Sequence, residues 1–469
     1  MFRSPAPCPS GRRPKLPFLR AALAGALCLS LMATPTARVE AQGGALPMIR
    51  DAEIEAILRE EANPIFIAAG LKPEDVSLYL VGMNELQAMV TGGQNLLLFT
   101  GLIVRTENPN QLLGVIAHET GHIASGHLAR QNEAMRSAKA ARLVTLGLGI
   151  LAALAEPSAA AGMFYSADYF GALQMISYTR VQEGAADQAA AKYLEKAGMS
   201  GKGLVDFFAK LRAQDVFSNI RKYPFLVDHP LTGDRIESLT QRVTTAAHYG
   251  AVDSPEMLEK HKIMIAKLKG FMNYPQVTRQ DYPETDTSFP ARYARAIAQY
   301  KDLNTDEAIK EIDALIADYP KNAYLYELKG QVLFESNRME AAEEPYRRAV
   351  ELAPDQPLIR VSFGQTLLAL KKDGALEEAV KELEIAMRAD RENPMGWRLL
   401  AEAYEREGDA GMARLATAEQ AFHLGQLQPA RQFGMRAREL LPPNTPQFRR
   451  ANDIINAAES NIPRRVRGG

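Results

Sequence analysis

The chain has 469 residues, enough for two or three domains, and its 46% hydrophobic and 24% charged content is that of a globular protein rather than a disordered or fibrous one. Its formal net charge of −1 argues against nucleic acid as a main partner, because phosphate binding shows as a basic excess. The charge says little about any other substrate.

Residues 1–41 read as a secretory signal peptide. Arg12, Arg13, Lys15 and Arg20 precede an apolar run from Ala21 to Ala33, and Val39-Glu40-Ala41 supplies a small-x-small cleavage site. The mature chain then starts near Gln42, outside the cytoplasm. Cys8 and Cys28 both fall in the removed part, so the mature chain has no cysteine, which suits an oxidising envelope compartment in a protein that needs no disulfide. Leu27 is too bulky a neighbour for Cys28 to be a lipoprotein anchor.

Residues 42–250 carry the chemistry. Leu78–Val81, Leu86–Val90 and Asn95–Phe99 are expected as short strands, the last two joined as a hairpin around Gly92-Gly93. Asn108 fits an N-cap and Pro109 a first helical position, after which Leu112, Leu113 and Ile116 give the helix a buried face. That helix runs into His118-Glu119-Thr120-Gly121-His122. Residues four apart differ by about 40° around a helix and about 6 Å along it, so His118 and His122 project from one face and can grip one cation. Glu119 sits beside it.

Zinc takes imidazole nitrogen at about 2.0–2.1 Å and, when catalytic, keeps a position for a water whose pKa it lowers to about 7. A neighbouring carboxylate can then take the proton. With 7 His in the chain, chance would place such a pattern only about 0.01 times. The bland alternative is two core histidines. His127, nine residues past His118, lies about 180° round a continuous helix, which predicts a structural role outside the metal shell. His248, His261 and His423 have no partner spacing.

The apolar run Leu143–Ala155 has thirteen residues, short of the roughly 20 that a membrane span needs. Residues 135–175 are expected as a helical cover: a lid, a surface-lying patch or ordinary core. Beyond it, Thr179 to Asp187 opens a second helical pattern in which Glu183 and Asp187 share a face. Glu183 can be the protein ligand that two histidines and a water still lack, with Asp187 accepting the free N–H of a ligand imidazole. Equally, paired acids on a helix are often a solvated surface.

Taken together, Asn84, Ala88, Gly92-Gly93, Phe99-Thr100-Gly101-Leu102 and the His-Glu-x-x-His segment resemble the gluzincin peptidases of the Ste24, HtpX and BepA type. Arg180, Glu183, Ala186 and Asp187 match that family's second motif, and His229-Pro230-Leu231 with Arg235 a third. The resemblance implies that His118, His122 and Glu183 are the zinc ligands and Glu119 the general base. It also implies that His229 can take the fourth zinc position and hold the enzyme inactive until it swings away, the plainer reading being a helix-entry residue packed near the site. Arg235 is then an oxyanion stabiliser, or simply a partner of Asp187 or another acid. The strand near Asn84 and Ala88 would be an edge on which an extended substrate adds. The hydrophobic helices that bracket these motifs in integral relatives have no equivalent here, which disfavours a membrane-embedded prenyl-protein peptidase.

Residues 251–290 read as a helix, from about Pro255 to Phe271, and a linker punctuated by Pro275, Pro283 and Pro290. Residues 291–460 then repeat. Ala308, Ala342, Ala379 and Ala413 are spaced by 34, 37 and 34, and Ala296, Gly330, Gly364 and Ala401 by 34, 34 and 37. The extra residues fall near Lys371 to Gly374, between helices. This period resembles the tetratricopeptide repeat, in which small residues let helices approach while Leu333, Tyr346, Leu367 and Tyr404 fill between them. Four repeats and two or three less regular helices would stack into a superhelix with a concave binding surface, ahead of a basic tail at 461–469.

The expected fold is therefore α+β and mostly α: a helical zincin-type domain with a small sheet, then an α-solenoid. The expected function is a periplasmic zinc endopeptidase holding one Zn2+. By resemblance, its substrates would be misfolded or stalled outer-membrane proteins, and its repeats would bind substrates or the outer-membrane assembly machinery. The alternative from another class is a chaperone-like assembly scaffold with latent proteolysis.

Overall fold

The computed structural model describes residues 46–127, 180–217, 225 and 228–461. The expected signal peptide, the 135–175 cover and the basic tail beyond Asn461 lie outside the described residues. What is described is mostly helical with one small sheet, as the patterning predicts. Among the described residues no helix is long and apolar enough to cross a membrane.

The sheet has four strands in the order β1-β2-β4-β3. β2 (Ser77–Val81) runs parallel to β4 (Asn95–Phe99), and β3 (Ala88–Thr91) pairs antiparallel with β4 through a hairpin at Gly92-Gly93. β1 (Met48–Ile49) adds on the far side of β2, and its two residues are too few to show an alternation in sequence. Side chains alternate across the sheet. Leu80, Leu96 and Leu98 enter the main core, while Val81, Leu97 and Phe99 form a separate cluster with Tyr79, Met83 and Met89 on the other face. β3 is an edge strand, the position at which another extended chain can pair.

Helix α1 (Ala52–Ala68) starts at Asp51, whose side chain accepts from the Ile54 N–H. α2 (Thr100–Arg105) follows β4 directly. α3 (Pro109–Ala124) has the expected start: Asn108 accepts from the Gln111 N–H, and Pro109 occupies the first turn, where its missing N–H costs nothing. Next come α4 (residues 180–196), α5 (Lys202–Phe217) and α6 (Gly233–Thr244). Leu112, Leu113 and Ile116 of α3 pack with Leu58 and Phe66 of α1, Leu194 of α4, Phe207 and Phe208 of α5 and Leu239 of α6.

α7 (Pro255–Met272) buries Met264 and Leu268 in that same core, and α8 (Pro275–Asp281) follows. The prolines of this stretch punctuate rather than break structure. Pro255, Pro275 and Pro290 each stand in the first turn of a helix, the one place where proline is pre-organised for it.

Beyond α8, five helix pairs follow: Phe289–Lys301 with Thr305–Asp318, Ala323–Glu335 with Met339–Leu352, Pro357–Ala369 with Ala375–Ala389, Pro394–Glu407 with Ala410–His423, and Leu427–Leu440 with Pro446–Asn461. The small residues of the repeat are where helices touch. A Cβ on Gly330 would stand 2.7 Å from the Tyr346 ring, so the aromatic fills the space the glycine leaves.

The first two pairs join the α/β part through one buried cation. Lys267 of α7, 4% exposed, lies 2.9 Å from Asp51 Oδ2 and 3.2 Å from Glu53 Oε2 at the start of α1. Tyr293 of the first pair donates to Glu53 at 3.0 Å. Glu327 of the second pair lies beside them, half-buried with its Oε2 enclosed, and loss of solvent there pushes its pKa up to about 8. A second, exposed link runs from Arg50 to Asp390 at 2.9 Å and from the Tyr79 hydroxyl to Glu392 at 2.7 Å.

Candidate metal centre

His118 and His122 stand on one face of α3, as their spacing requires, with His118 wholly buried and His122 partly so. α4 brings Glu183 to them. The approach depends on small residues in both helices: a Cβ on Gly121 would stand 3.0 Å from the Ala186 carbonyl oxygen, 3.1 Å from its Cα and 3.3 Å from Ala189 Cβ. Gly121 lies inside the first motif and Ala186 inside the second. Their complementarity was open to sequence reading but was not drawn from it.

Four side chains, His118, His122, Glu183 and His229, place ligand atoms within 4.8 Å of one another. His118 Nε2 is 3.2 Å from His122 Nε2, 3.3 Å from His229 Nδ1 and 3.4 Å from Glu183 Oε2. Glu183 Oε1 is 3.3 Å from His122 Nε2, and His229 Nδ1 is 3.1 Å from either Glu183 oxygen. A tetrahedron with ligands at about 2.0–2.1 Å from its centre has edges of about 3.3–3.4 Å. The five separations, 3.1–3.4 Å, lie close to that length, Glu183 facing His118 with Oε2 and His122 with Oε1, and the donor chemistry, imidazole and carboxylate, suits zinc among the transition metals.

The electrostatics agree. Burial alone would lower the His118 pKa, but Asp187 and Glu183 outweigh it and push it up to about 10. Burial would raise Glu183, yet His118, His122 and His229 hold its carboxyl far below the usual range. The pocket demands positive charge, and a divalent ion meets that demand.

The remaining expected residues surround this group. Asp187 Oδ1 lies 3.0 Å from His118 Nδ1, an ion-pair contact without hydrogen-bond alignment. Arg235 grips Asp187 with two hydrogen bonds of 2.8 Å, lies 3.0 Å from Glu183 Oε2 and donates to the Pro230 carbonyl at 2.8 Å. Of the two roles open to it from sequence, the geometry has the guanidinium committed to the acids. Burial raises the Asp187 pKa, but His118 and Arg235 override it and hold the carboxyl low. Glu119 is 1% exposed, its Oε1 is 3.5 Å from His229 Nε2, and that oxygen has no hydrogen-bond partner.

Ala88 opens the edge strand β3, which packs against α3. Asn84 stands before the strand rather than in it, its Oδ1 accepting from Arg105 at 3.1 Å. Its backbone also lies so close to Gly101 that a Cβ there would come within 2.4 Å. Gln87, between them, donates to Asp228 at 2.7 Å, tying the approach to β3 to the residue before His229. His229 also stacks on Phe225, ring centroids 4.7 Å apart.

His127 is outside the donor group, but not for the expected reason. The nine-residue count assumed a continuous helix, whereas α3 ends at Ala124 and Gly126 takes a left-handed φ of 62°. His127 Nδ1 thereby stands 3.0 Å from His122 Nδ1. Ser125-Gly126 was a readable stop signal that the periodicity argument passed over.

A family model described as peptidase family M48 matches residues 49–243, and a tetratricopeptide repeat model matches residues 293–357. Over 397 residues the chain is 26% identical to the beta-barrel assembly-enhancing protease of Yersinia pestis, covering 82% of this chain and 79% of that protein. It is 25% identical over 412 residues to the protein of the same name from Escherichia coli (strain K12), covering 83% of each. A metalloprotease named YcaL from the same strain is 26% identical over 174 residues, 37% of this chain and 63% of that protein. The chain is a metalloprotease built from a peptidase family M48 domain followed by tetratricopeptide repeats.

Proposed function

We propose that the protein is a zinc-dependent endopeptidase of the periplasm that hydrolyses misfolded or stalled outer-membrane proteins, His118, His122 and Glu183 being its zinc ligands. The observation that carries the metal assignment is the set of donor separations of 3.1–3.4 Å. The envelope location and the class of client are supported by residues 1–41 and by the name of the relatives, beta-barrel assembly-enhancing protease. The repeats suit binding of substrates or of the assembly machinery, because stacked helical repeats as a class offer an extended concave surface.

A zinc ion held by these ligands supplies a Lewis acid and lowers the pKa of water at the site. The chain's own residues do the rest. Glu119, whose Oε1 faces His229 Nε2 at 3.5 Å and has no hydrogen bond among the described residues, accepts the proton of the attacking water and returns it to the leaving nitrogen. Asp187 orients His118 from behind and is itself held by Arg235, so Arg235 acts through Asp187 and Glu183 rather than on the substrate. Edge strand β3, beginning at Ala88, receives the substrate backbone as a further strand, a mode tolerant of sequence and suited to unfolded clients.

Purified protein is expected to carry about one zinc per chain, to lose casein cleavage on chelation and to regain it with added zinc. Absence of a stoichiometric transition metal by elemental analysis would remove the reading.

His229 favours a second reading of the resting state. Its Nδ1 completes the donor set, and a site with four protein ligands leaves no position for water. Proteolysis is then latent until His229 leaves, which also leaves room for an assembly role without cleavage. His229→Ala is expected to keep its metal and cleave casein severalfold faster than wild type. Unchanged or slower cleavage ends the switch.

A further inference from the structure

Both imidazoles of the first motif have something behind them, and the two partners differ in kind. His118 has a carboxylate, Asp187, 3.0 Å from its Nδ1. His122 has another imidazole, His127, 3.0 Å from its Nδ1. Two ring nitrogens at that distance share one proton, and which ring owns it follows from the far side of His122. There Nε2 points at His118 Nε2 and Glu183 Oε1, at 3.2 Å and 3.3 Å, so it must be the bare nitrogen if it is to bind metal. The proton therefore sits on His122 Nδ1, and His127 Nδ1 accepts it.

Resting on the zinc reading above, we propose that His127 is a positioning residue that fixes the tautomer and ring orientation of His122 for metal binding. Three features make it suited to the task. It is only 6% exposed, and its ring meets that of His122 edge-on, with centroids 5.0 Å apart and planes at 75°. Its placement is set by the backbone, since α3 ends at Ala124 and Gly126, just before it, takes a left-handed φ of 62°. Its carbonyl oxygen accepts from Gln182 Nε2 at 3.3 Å, the residue before Glu183, so one residue braces ligands on both helices. An imidazole behind His122 also places no further carboxylate at a centre that already holds Glu119, Glu183 and Asp187, with Arg235 against the last two.

The test is zinc affinity, measured on the full chain by competition with a chromophoric chelator, together with the visible spectrum of the cobalt-loaded protein. His127→Leu fills the space without an acceptor and is expected to bind zinc about 10–100-fold more weakly and to alter the cobalt bands. His127→Asn, whose Oδ1 can replace Nδ1 as acceptor, is expected to recover most of the affinity and the wild-type spectrum. Equal affinity of the Leu variant and wild type overturns the proposal, as does an Asn variant no better than Leu, which would mark a packing role. Should the Leu variant fail to fold, the Asn variant decides alone: affinity near wild type supports the proposal, and a loss of about tenfold or more overturns it. Failure of the zinc reading looks different, because wild type itself would then bind no zinc.

Discussion

Glu119→Gln is expected to lower casein cleavage by about 100- to 10,000-fold, the usual worth of a positioned base, while leaving zinc content and thermal stability unchanged. The reason for so selective a loss is the place of the side chain. Glu119 is buried, and its Oε1 faces His229 Nε2 at 3.5 Å without a hydrogen bond among the described residues, so the oxygen is open to a proton and is not tied into the packing of the fold. Gln is the same size and cannot accept the proton. Retention of more than about a tenth of the activity would show that another group is the base. The same variant separates the two functional classes, since a chain that assists assembly as a scaffold keeps its full cellular effect when Glu119 is Gln.

Lys267→Met is expected to be strongly destabilising, by about 3–5 kcal/mol in the free energy of unfolding measured with denaturant, because it strands buried acids without their counter-charge. Asp51, Glu53 and Glu327 surround that one ammonium, and Glu53 is 3% exposed. Burial already raises the Glu53 carboxyl; Lys267 and Tyr293 oppose it. Removing the acid together with the cation relieves most of the penalty, so Lys267→Met with Glu53→Gln is expected to be more stable than Lys267→Met alone. A loss below about 1 kcal/mol for the single variant would mean that water reaches the cluster and that the ion pairs behave as exposed ones. The consequence extends beyond stability: the cluster joins α1 and α7 to the first two helix pairs, so a weakened cluster loosens the repeats from the peptidase part.

The local features of this protein could be read directly from its residues. The two histidines on one helix face, the Asn108-Pro109 start of that helix, the Gly92-Gly93 hairpin and the repeat of about 34 residues all follow from spacing along a few turns of chain, where geometry is set by the backbone itself. His127 shows how far that reasoning reaches: a count of nine positions is sound only while the helix lasts, and one left-handed glycine ended it, leaving His127 outside the donor group but against His122. β1, two residues long, was below the length at which alternation means anything.

What only the tertiary structure decided lies between residues far apart in sequence. His229 meets His118 across 111 positions, Lys267 meets Asp51 across 216, and Tyr293 meets Glu53 across 240. Spacing along the chain carries no information about such pairs, because nothing local fixes their separation. Which acid Arg235 would hold, and that the His229 ring would come within reach of His118 and Glu183, depended on α4 and the His229 segment packing onto α3 through the small residues Gly121 and Ala186 and the stacked ring of Phe225. The motif named the reactive groups; packing determined which of them face one another.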